Sequence, residues 1–386
     1  MSKLEELLQK LCPEGVEIVE LGTFAKAETE KNKNCAFDKA YSITQKGLIP
    51  TSDYFKEAKV TSEDTSGYKV VRKHWFVYSP SRIDVGSINY LHGEETVIVS
   101  PLNVVFSIDE QIVDAKYLLT FLNSRKGTWQ ILSKREGIEG TGRKMLPFSK
   151  FATIEIPLPP LPVQRKIIRI LDNFTELTVE LTAELTARKK QYEYYKRVLI
   201  QNANDIREFS LGDIATVKTG SKPPEILEFP TEYEYINAGT SISGYANNTN
   251  CEGDVTTTPS RGQGGIGFVG YQKKPFWLGP LCYRIKSKNT DIVLNRYLFY
   301  YLSCFREKIL AFKKEGGTPA INGSDLATIV IEVPSIQEQK RIIGILDRFD
   351  TICNDLTSGL PAEIEARQKQ YEYYRDKLLS FKETNI

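Results

Sequence analysis

The chain has 386 residues, enough for two or three domains that each bury a core of their own. Hydrophobic residues make up 41% and charged residues 26%, which is typical of a folded globular protein, and the formal net charge is +2. There is no run of about 18 apolar residues that would predict a membrane span, and the nearly neutral charge gives no overall electrostatic signal for nucleic acid.

The N-terminal stretch "MSKLEELLQKL" predicts a short amphipathic helix and lacks the apolar core of a signal peptide. The six cysteines stand singly, and His74 and His92 are the only histidines, so no zinc site of the usual spacing is predicted. Scattered, reduced thiols fit a cytoplasmic protein. The P-loop pattern, the nucleophile elbow, the H-E-x-x-H motif and the D/N-P-P-Y/F/W signature of an amino-methyltransferase are all missing, so the sequence indicates no catalytic centre.

The first globular part, residues 22–150, alternates β-rich runs such as "ETVIVSPLNVVFSI" with glycine turns and a helix, "DAKYLLTFLNS". This rhythm predicts a mixed α/β domain. Within it, residues 68–90 mix aromatic and basic side chains. That mixture suits phosphate contacts, with Lys73 and Arg82 as candidates, and it also suits an ordinary sheet whose aromatic residues lie in a core.

A glycine-rich loop, "EGIEGTGRKMLP" at residues 136–147, carries Arg143 and Lys144. Its counterpart in the second half of the chain is "KKEGGTPAING" at 313–323. Such a loop is either a solvated turn or a segment that contacts phosphates or bases. We retain both interpretations, with Arg143 and Lys144 as the candidate contact residues.

The first helical part contains the word T-x-E-L in tandem, which places Leu177, Leu181 and Leu185 four residues apart. Each word adds ~6 Å to a helix at 1.5 Å per residue, so the gain or loss of one word would adjust the length of a helix between two domains. A plain helix with a leucine stripe is the simpler interpretation. A heptad seam of apolar positions runs through this part. Its members are Ile167, Leu171, Phe174, Thr178, Leu181, Leu185, Arg188, Tyr192, Tyr195 and Leu199.

The second globular part, residues 211–325, shows the same general rhythm, with the helix "LNRYLFYYLSCF". Its "SRGQGGIGFVG" has glycines in G-x-G-x-x-G spacing, but a strand-like run follows where a dinucleotide site needs a helix. We therefore predict a glycine-rich hairpin there. Such a loop can still let the backbone approach a ligand closely, and the cations Arg261, Lys273 and Lys274 flank it.

The second helical part repeats the first. "FATIEIPLPPLPVQRKIIRILDNF" at 151–174 aligns with "LATIVIEVPSIQEQKRIIGILDRF" at 326–349, and "LTAELTARKKQYEYY" at 181–195 with "LPAEIEARQKQYEYY" at 360–374. Pro361 and the preceding "TSGL" predict that the second helix stops and restarts, and Thr182, at the matching place, allows a bend in the first. A weaker match joins "VELGTFA" to "FSLGDIA".

These pieces, together with the opening "LCPEGVEIVELG", resemble the specificity subunit of type I restriction–modification systems over essentially the whole chain. The resemblance implies an α+β fold with two globular α/β target recognition domains, separated by two long antiparallel helices that form a coiled-coil spacer, and a pseudo-two-fold internal repeat. The predicted segments are 1–158, 159–206, 207–333 and 334–386. They correspond in order to the first recognition domain, the central helical region, the second recognition domain and the C-terminal helical region.

The same resemblance implies that each recognition domain reads one half of a split site in double-stranded DNA. It further implies that the chain recruits two modification (M) subunits and the restriction (R) subunits, and that it catalyses nothing. S-adenosylmethionine, ATP and Mg would then reside on partner subunits, with no cofactor in this chain. In this family the T-A-E-L word acts as a ruler for the gap between the half-sites.

Base-reading residues do not transfer between relatives, so the DNA candidates come from charge and loop position alone: Lys73, Arg82, Arg143, Lys144, Arg261, Lys273 and Lys274. Spacer and partner packing is expected from Leu177, Leu181, Leu185, Tyr192, Tyr195, Leu360, Tyr371 and Tyr374. The alternative is a non-catalytic scaffold in which two α/β domains on a helical rod bind proteins and not DNA.

Overall fold

The computed structural model describes residues 6, 9–45, 47–54, 64–137, 144–262, 264–314, 319–355 and 357–382. It divides into two compact units. Unit 1 comprises Met1–Glu180 and Ile364–Ile386, and unit 2 comprises Leu181–Glu363. Each unit combines a globular part with portions of both helical segments.

The strands of the first half are short and lie between turns. They are β1 (Ile18–Glu20), β2 (Ala25–Glu28), β3 (Ala40–Thr44), β4 (Gly47–Pro50), β5 (Lys69–Val71), β6 (Phe76–Tyr78), β7 (Ile88–Tyr90), β8 (Val97–Val99), β9 (Val104–Ile108), β10 (Glu136–Gly137), β11 (Lys144–Met145) and β12 (Glu155–Pro157). The helices are α1 (Thr51–Tyr54), α2 (Ala115–Leu122), α3 (Arg125–Ser133), α4 (Phe148–Phe151) and α5 (Leu161–Gln201), with 3-10 turns at Leu21–Thr23, Lys33–Cys35 and Ile83–Val85.

Unit 1 contains two four-stranded sheets. One has the order β2-β9-β6-β7 and is antiparallel throughout, and the other has the order β4-β3-β8-β5 with a parallel β3–β8 pair. Phe76 and Tyr78 on β6 are fully buried, and Phe76 stacks on Phe106 with ring centroids 4.9 Å apart. The core interpretation of these aromatic residues is therefore confirmed.

The second half repeats this inventory. Its strands are β13 (Arg207–Ser210), β14 (Ala215–Thr219), β15 (Tyr233–Ile236), β16 (Tyr245–Ala246), β17 (Val255–Pro259), β18 (Gly270–Gln272), β19 (Trp277–Leu278), β20 (Cys282–Ser287) and β21 (Val330–Val333). Its helices are α6 (Leu211–Ile214), α7 (Asn295–Cys304), α8 (Arg306–Leu310), α9 (Gly323–Ala327) and α10 (Ile336–Asn354), and α11 (Leu360–Leu378) follows.

The two globular parts share one topology although their sequences share little. In unit 2 the antiparallel sheet has the order β14-β20-β17-β18, which matches β2-β9-β6-β7 strand for strand. The second sheet, β16-β15-β19, again contains a parallel pair, β15–β19, and lacks a counterpart of β5 among the described residues. The predicted α+β fold with an internal repeat is thus confirmed, and the repeat extends further than the sequence indicates.

The repeated words "LG" and "AT" meet in each unit. The backbone N–H of Gly22 donates to the Ala152 carbonyl at 2.7 Å, and a Cβ on Gly22 would lie 3.2 Å from the Ala152 Cβ. In unit 2 a Cβ on Gly212 would lie 3.1 Å from that of Ala327. The close approach leaves little room for a side chain, which explains why glycine stands at both positions.

Helix α5 continues for 41 residues without an interruption at Thr182. Threonine keeps the backbone N–H that proline lacks, and the i→i−4 ladder continues. The second helical part does stop after Asn354 and restart at Leu360, as predicted. Pro361 occupies the second position of α11, where its missing N–H leaves no helical bond unmade.

The word "QYEYY" packs against the other copy of the repeat. In unit 2, Tyr195 stacks on Phe349 of α10 with centroids 5.8 Å apart, and in unit 1, Tyr374 of α11 stacks on Phe174 at 5.3 Å. Phe174 and Phe349 are equivalent residues of the repeat. Each unit therefore joins the start of one helical segment to the end of the other.

Two segments far apart in the sequence, around Val16 and around Lys382, meet in unit 1. The backbone N–H of Val16 donates to the Lys382 carbonyl at 3.0 Å, and Leu379 is buried in the same core as Leu21. Ile200, the repeat equivalent of Leu379, is buried in unit 2, where the chain continues covalently into β13. In unit 1 the end of the helical segment is thus joined to the strand region by a hydrogen bond between distant residues. In unit 2 the corresponding two parts are consecutive in the chain.

Candidate nucleic-acid interface

The predicted DNA-binding cations lie at the two ends of the β6–β7 hairpin and of its counterpart, β17–β18. Arg143 lies outside the described residues. One end, which we call the loop end, is where β6 and β17 finish. Arg82, Lys144 and Arg261 lie there, whereas Lys73, Lys273 and Lys274 lie at the opposite end.

The loop end of unit 1 brings Arg82 and Lys144 together. Arg82 precedes the 3-10 turn after β6, and Lys144 begins β11. The Leu146 N–H donates to the Pro80 carbonyl at 3.0 Å, which fixes β11 against the turn. Both basic side chains are exposed, and the described residues offer no side-chain partner to Arg82. Two unneutralised cations on neighbouring segments can contact successive phosphates.

The loop end of unit 2 is built in the same way. The Ile321 N–H donates to the Ser260 carbonyl at 2.9 Å, and exposed Arg261 forms a β-bridge with Ala320. Ala320 also bridges to Lys314, a cation that our sequence prediction missed. The alignment of the two glycine-rich loops was the signal that could have found it. Lys314 Nζ lies 3.0 Å from the Asp325 carboxylate, so its charge is partly neutralised.

At the opposite end of unit 1, the positive charges are more neutralised. Lys73 forms an ion pair with Glu94, and His74 Nδ1 lies 2.9 Å from the Glu110 carboxylate. Burial, followed by the nearby charges of Lys116 and His74, lowers the pKa of His92 from its ordinary value. This imidazole is therefore harder to protonate than a free one, and it adds no strong positive charge near Lys73 at neutral pH.

In unit 2, Lys273 and Lys274 follow β18 and are exposed. Lys273 borders a groove of 490 Å³ together with Lys340, Gly344 and Asp347 of α10. This end therefore faces the helical part of the unit. The structure thus separates the candidate cations into a loop-end group and a group at the opposite end of the hairpins, and nothing in the sequence indicated that separation.

The glycine-rich stretch after β17 is a hairpin loop, as predicted. Gly262, Gly264 and Gly267 have φ of 114°, 84° and 86°, all in the left-handed region that favours glycine. The antiparallel strand β18 follows, and no helix begins there. A dinucleotide fingerprint, which needs a helix N-terminus at this point, does not fit.

The residues predicted for spacer and partner packing lie along α5 and α11. Tyr192 is buried; Leu177, Leu181, Leu185, Leu360, Tyr371 and Tyr374 are partly buried; and Tyr195 is 39% exposed. Leu185 and Tyr192 belong to the core of unit 2, and Tyr371 packs on that of unit 1. These contacts explain packing within each unit, and contact with a partner chain stays a prediction.

Metal ligands do not cluster in the part of the chain that the structure describes, since no three His, Cys, Asp or Glu side chains there could hold an ion. Burial raises the pKa of the Cys282 thiol to about 12, so this thiol stays protonated at neutral pH. Among the described helices, none is both long and apolar enough to cross a bilayer.

Comparison with known proteins identifies sequence relatives. Residues 13–189 and 204–366 match the family model described as type I restriction modification DNA specificity domain. The EcoR124I/EcoR124II specificity subunit of Escherichia coli is 33% identical over 311 residues, which cover 73% of this chain and 74% of that protein. A putative type I specificity subunit of Mycoplasma pneumoniae is 32% identical over 244 residues, or 59% of this chain and 94% of that one.

Solved structures share the fold at low sequence identity. The S subunit of a type I restriction–modification system from M. genitalium aligns with a TM-score of 0.58 at 17% identity, covering 94% of this chain and 96% of that one. The HsdS subunit from Thermoanaerobacter tengcongensis aligns with a TM-score of 0.52 at 16% identity, covering 96% of each chain.

Proposed function

Since the chain belongs to the type I restriction–modification DNA specificity family, we propose that it recognises a split site in double-stranded DNA, one half-site for each unit. The observation that carries this proposal is the repetition of one topology, with a basic loop end at the same place in both units. Two similar reading modules in one chain suit a site made of two separate words. The chain is a non-catalytic DNA-recognition subunit, as its relatives are.

The loop-end cations Arg82, Lys144 and Arg261 are the residues that we assign to DNA contact. Phosphate contacts by such side chains release counterions, so DNA affinity should fall steeply with salt. An arginine that reaches a guanine edge would add discrimination of ~1–3 kcal/mol at one base pair. The net charge of only +2 implies that partner subunits supply much of the remaining positive surface.

The partners of the proposed complex are two M subunits and the R subunits. The internal repeat supports two copies of one partner, because the tyrosine-rich helix ends recur with similar exposure. Tyr194 is 65% exposed, and its equivalent Tyr373 is 60% exposed. S-adenosylmethionine, ATP and Mg belong to those partners in this proposal, and this chain binds none of them.

Helix α5 is proposed to set the gap between the half-sites. It is continuous from Leu161 to Gln201 and contains the T-x-E-L words. One four-residue word changes its length by ~6 Å, which corresponds to one to two base pairs at ~3.4 Å per pair. The second helical part is interrupted before Leu360, so only one side of the repeat has an uninterrupted rod.

The test is a methylome. The chain is expressed with its M subunit in a methylation-free bacterium, and modified adenines are mapped by single-molecule sequencing. A motif of two words with an unspecific gap is the expected result. A soluble complex that modifies no such motif would contradict the proposal and favour a protein-binding scaffold.

A further inference from the structure

One arginine at the loop end of unit 1 is nearly buried, in contrast to the exposed cations around it. The side chain of Arg135 is 10% exposed and lies between α3 and β10. Its Nη1 donates to the Asp84 carboxylate at 2.8 Å. Its Nη2 donates to two backbone carbonyls, those of Ser81 and Lys144, each at 3.1 Å.

These three acceptors belong to the two segments that carry the proposed DNA contacts. Ser81 and Asp84 flank Arg82 on the turn after β6, and Lys144 is itself a candidate. The nearly buried guanidinium therefore connects the segment of Arg82 to the segment of Lys144. A single planar group holds both exposed cations in one relative position.

Only arginine can make this set of contacts. Its planar fork directs several N–H groups at once, whereas the lysine ammonium is a compact point charge. Burying a cation is costly, and an ion pair with Asp84 offsets part of that cost. The buried Arg135 Nε has no hydrogen-bond partner among the described residues, so the site is not optimised for stability alone.

The second unit has a lysine at the equivalent place. The bond from Leu146 to Pro80 matches that from Ile321 to Ser260, so Met145 corresponds to Ala320. Met145 pairs with Glu136 and Ala320 pairs with Lys314, which aligns Arg135 with Lys313. The guanidinium of Arg135 thus has no arginine counterpart in unit 2, although the strands around the two positions correspond. A substitution at Arg135 should for this reason disturb one half of the chain only.

We propose that Arg135 is a positioning residue for DNA recognition, which fixes Arg82 and Lys144 relative to each other and so sharpens the reading of the half-site that unit 1 contacts. The inference rests on the proposed function, since it requires that the loop end contacts DNA. Arg135 itself does not touch the DNA. Its effect is transmitted through the backbone carbonyls that it binds.

The experiment compares Arg135→Lys with the wild-type chain, each in complex with its M subunit. The substrates are duplexes with the mapped site and duplexes with single base-pair changes in either half-site. Because the lysine keeps the charge and loses the fork, discrimination against changes in one half-site should fall about tenfold. Discrimination in the other half-site should stay the same.

The matched control is Arg125→Lys, the same substitution at an exposed arginine of unit 1 at the start of α3. It should leave discrimination in both half-sites unchanged. If Arg135→Lys prevents assembly, Asp84→Ala takes its place, because it removes the Nη1 acceptor at an exposed position. It should loosen discrimination in one half-site as well.

The outcomes separate this inference from the proposed function. A wild-type complex that modifies no bipartite site would refute the proposed function and the inference with it. A wild-type complex with a clear motif, and an assembled variant that discriminates as the wild type does, would overturn the inference alone. A fall of equal size at both half-sites would also overturn it, since that is the result of a general loss of stability.

Discussion

The glutamine shared by the two repeats should be one of the most sensitive positions for stability in the chain. Gln339 is fully buried at the start of α10. Its Nε2 donates to the carbonyls of Ile292 and Pro334 at 2.9 Å each, and its Oε1 accepts from the Leu294 N–H at 2.9 Å. The side chain thus connects the corner before the helix to the loop before α7. We consider the substitution Gln339→Leu, which conserves volume approximately.

The cost follows from the number of lost contacts. Leucine makes none of the three hydrogen bonds and leaves two carbonyls and one N–H buried without partners. Each group left buried without a partner costs about 1–3 kcal/mol, so the free energy of unfolding should fall by at least about 3 kcal/mol. Because leucine fills similar space, a cavity contributes little to this loss.

The equivalent Gln164 gives an internal replicate. It accepts from the Asp114 N–H at 2.8 Å and donates to the carbonyls of Ile112 at 3.0 Å and Pro159 at 2.7 Å. Gln164→Leu should therefore cost about the same, within about 1 kcal/mol. The control is Gln201→Leu at the exposed end of α5, which should change stability by less than about 0.5 kcal/mol.

The assay is urea unfolding of the full chain, followed by circular dichroism and by tryptophan fluorescence. Two units can unfold separately, so the coincidence of the two signals must be tested before a free energy is extracted. Losses below about 1 kcal/mol at both glutamines would refute the reasoning. The repeated glutamine would then need another explanation than its hydrogen bonds.

Three further predictions concern DNA and helix packing. Deletion of residues 182–185 shortens α5 by ~6 Å and should shorten only the gap of the methylated motif, by one to two base pairs. A change in the base sequence of either half-site would contradict this. Arg82→Ala should weaken DNA binding of the complex and reduce the steepness of the plot of log affinity against log salt concentration by about 1. Arg261→Ala should have the same effect. An unchanged slope in a salt titration would remove the substituted residue from the interface. Tyr195→Ala removes the stacking on Phe349 and should lower the free energy of unfolding by about 1–2 kcal/mol. The control, Tyr194→Ala, should change this free energy little, because Tyr194 is 65% exposed. Equal effects of the two substitutions in urea unfolding would contradict the packing role of Tyr195.

The sequence by itself determined the internal repeat, the helical segments and the break before Pro361. Each of these depends on residues close together along the chain: a heptad stripe, a proline without an N–H, or a word of a few residues found twice. The glycine-rich hairpin after β17 was predictable for the same reason, because the turn needs glycine at positive φ. The resemblance to a family rested on these same local words.

Only the tertiary structure decided which distant segments meet. The two globular parts share a strand order that their residues do not reveal, because a sheet requires buried side chains of the right period and tolerates many sequences. The pairing of Tyr195 with Phe349, and the contact of Arg135 with the segments of Arg82 and Lys144, join residues far apart in the chain. Such contacts depend on the path of the backbone in space, which short sequence patterns do not encode.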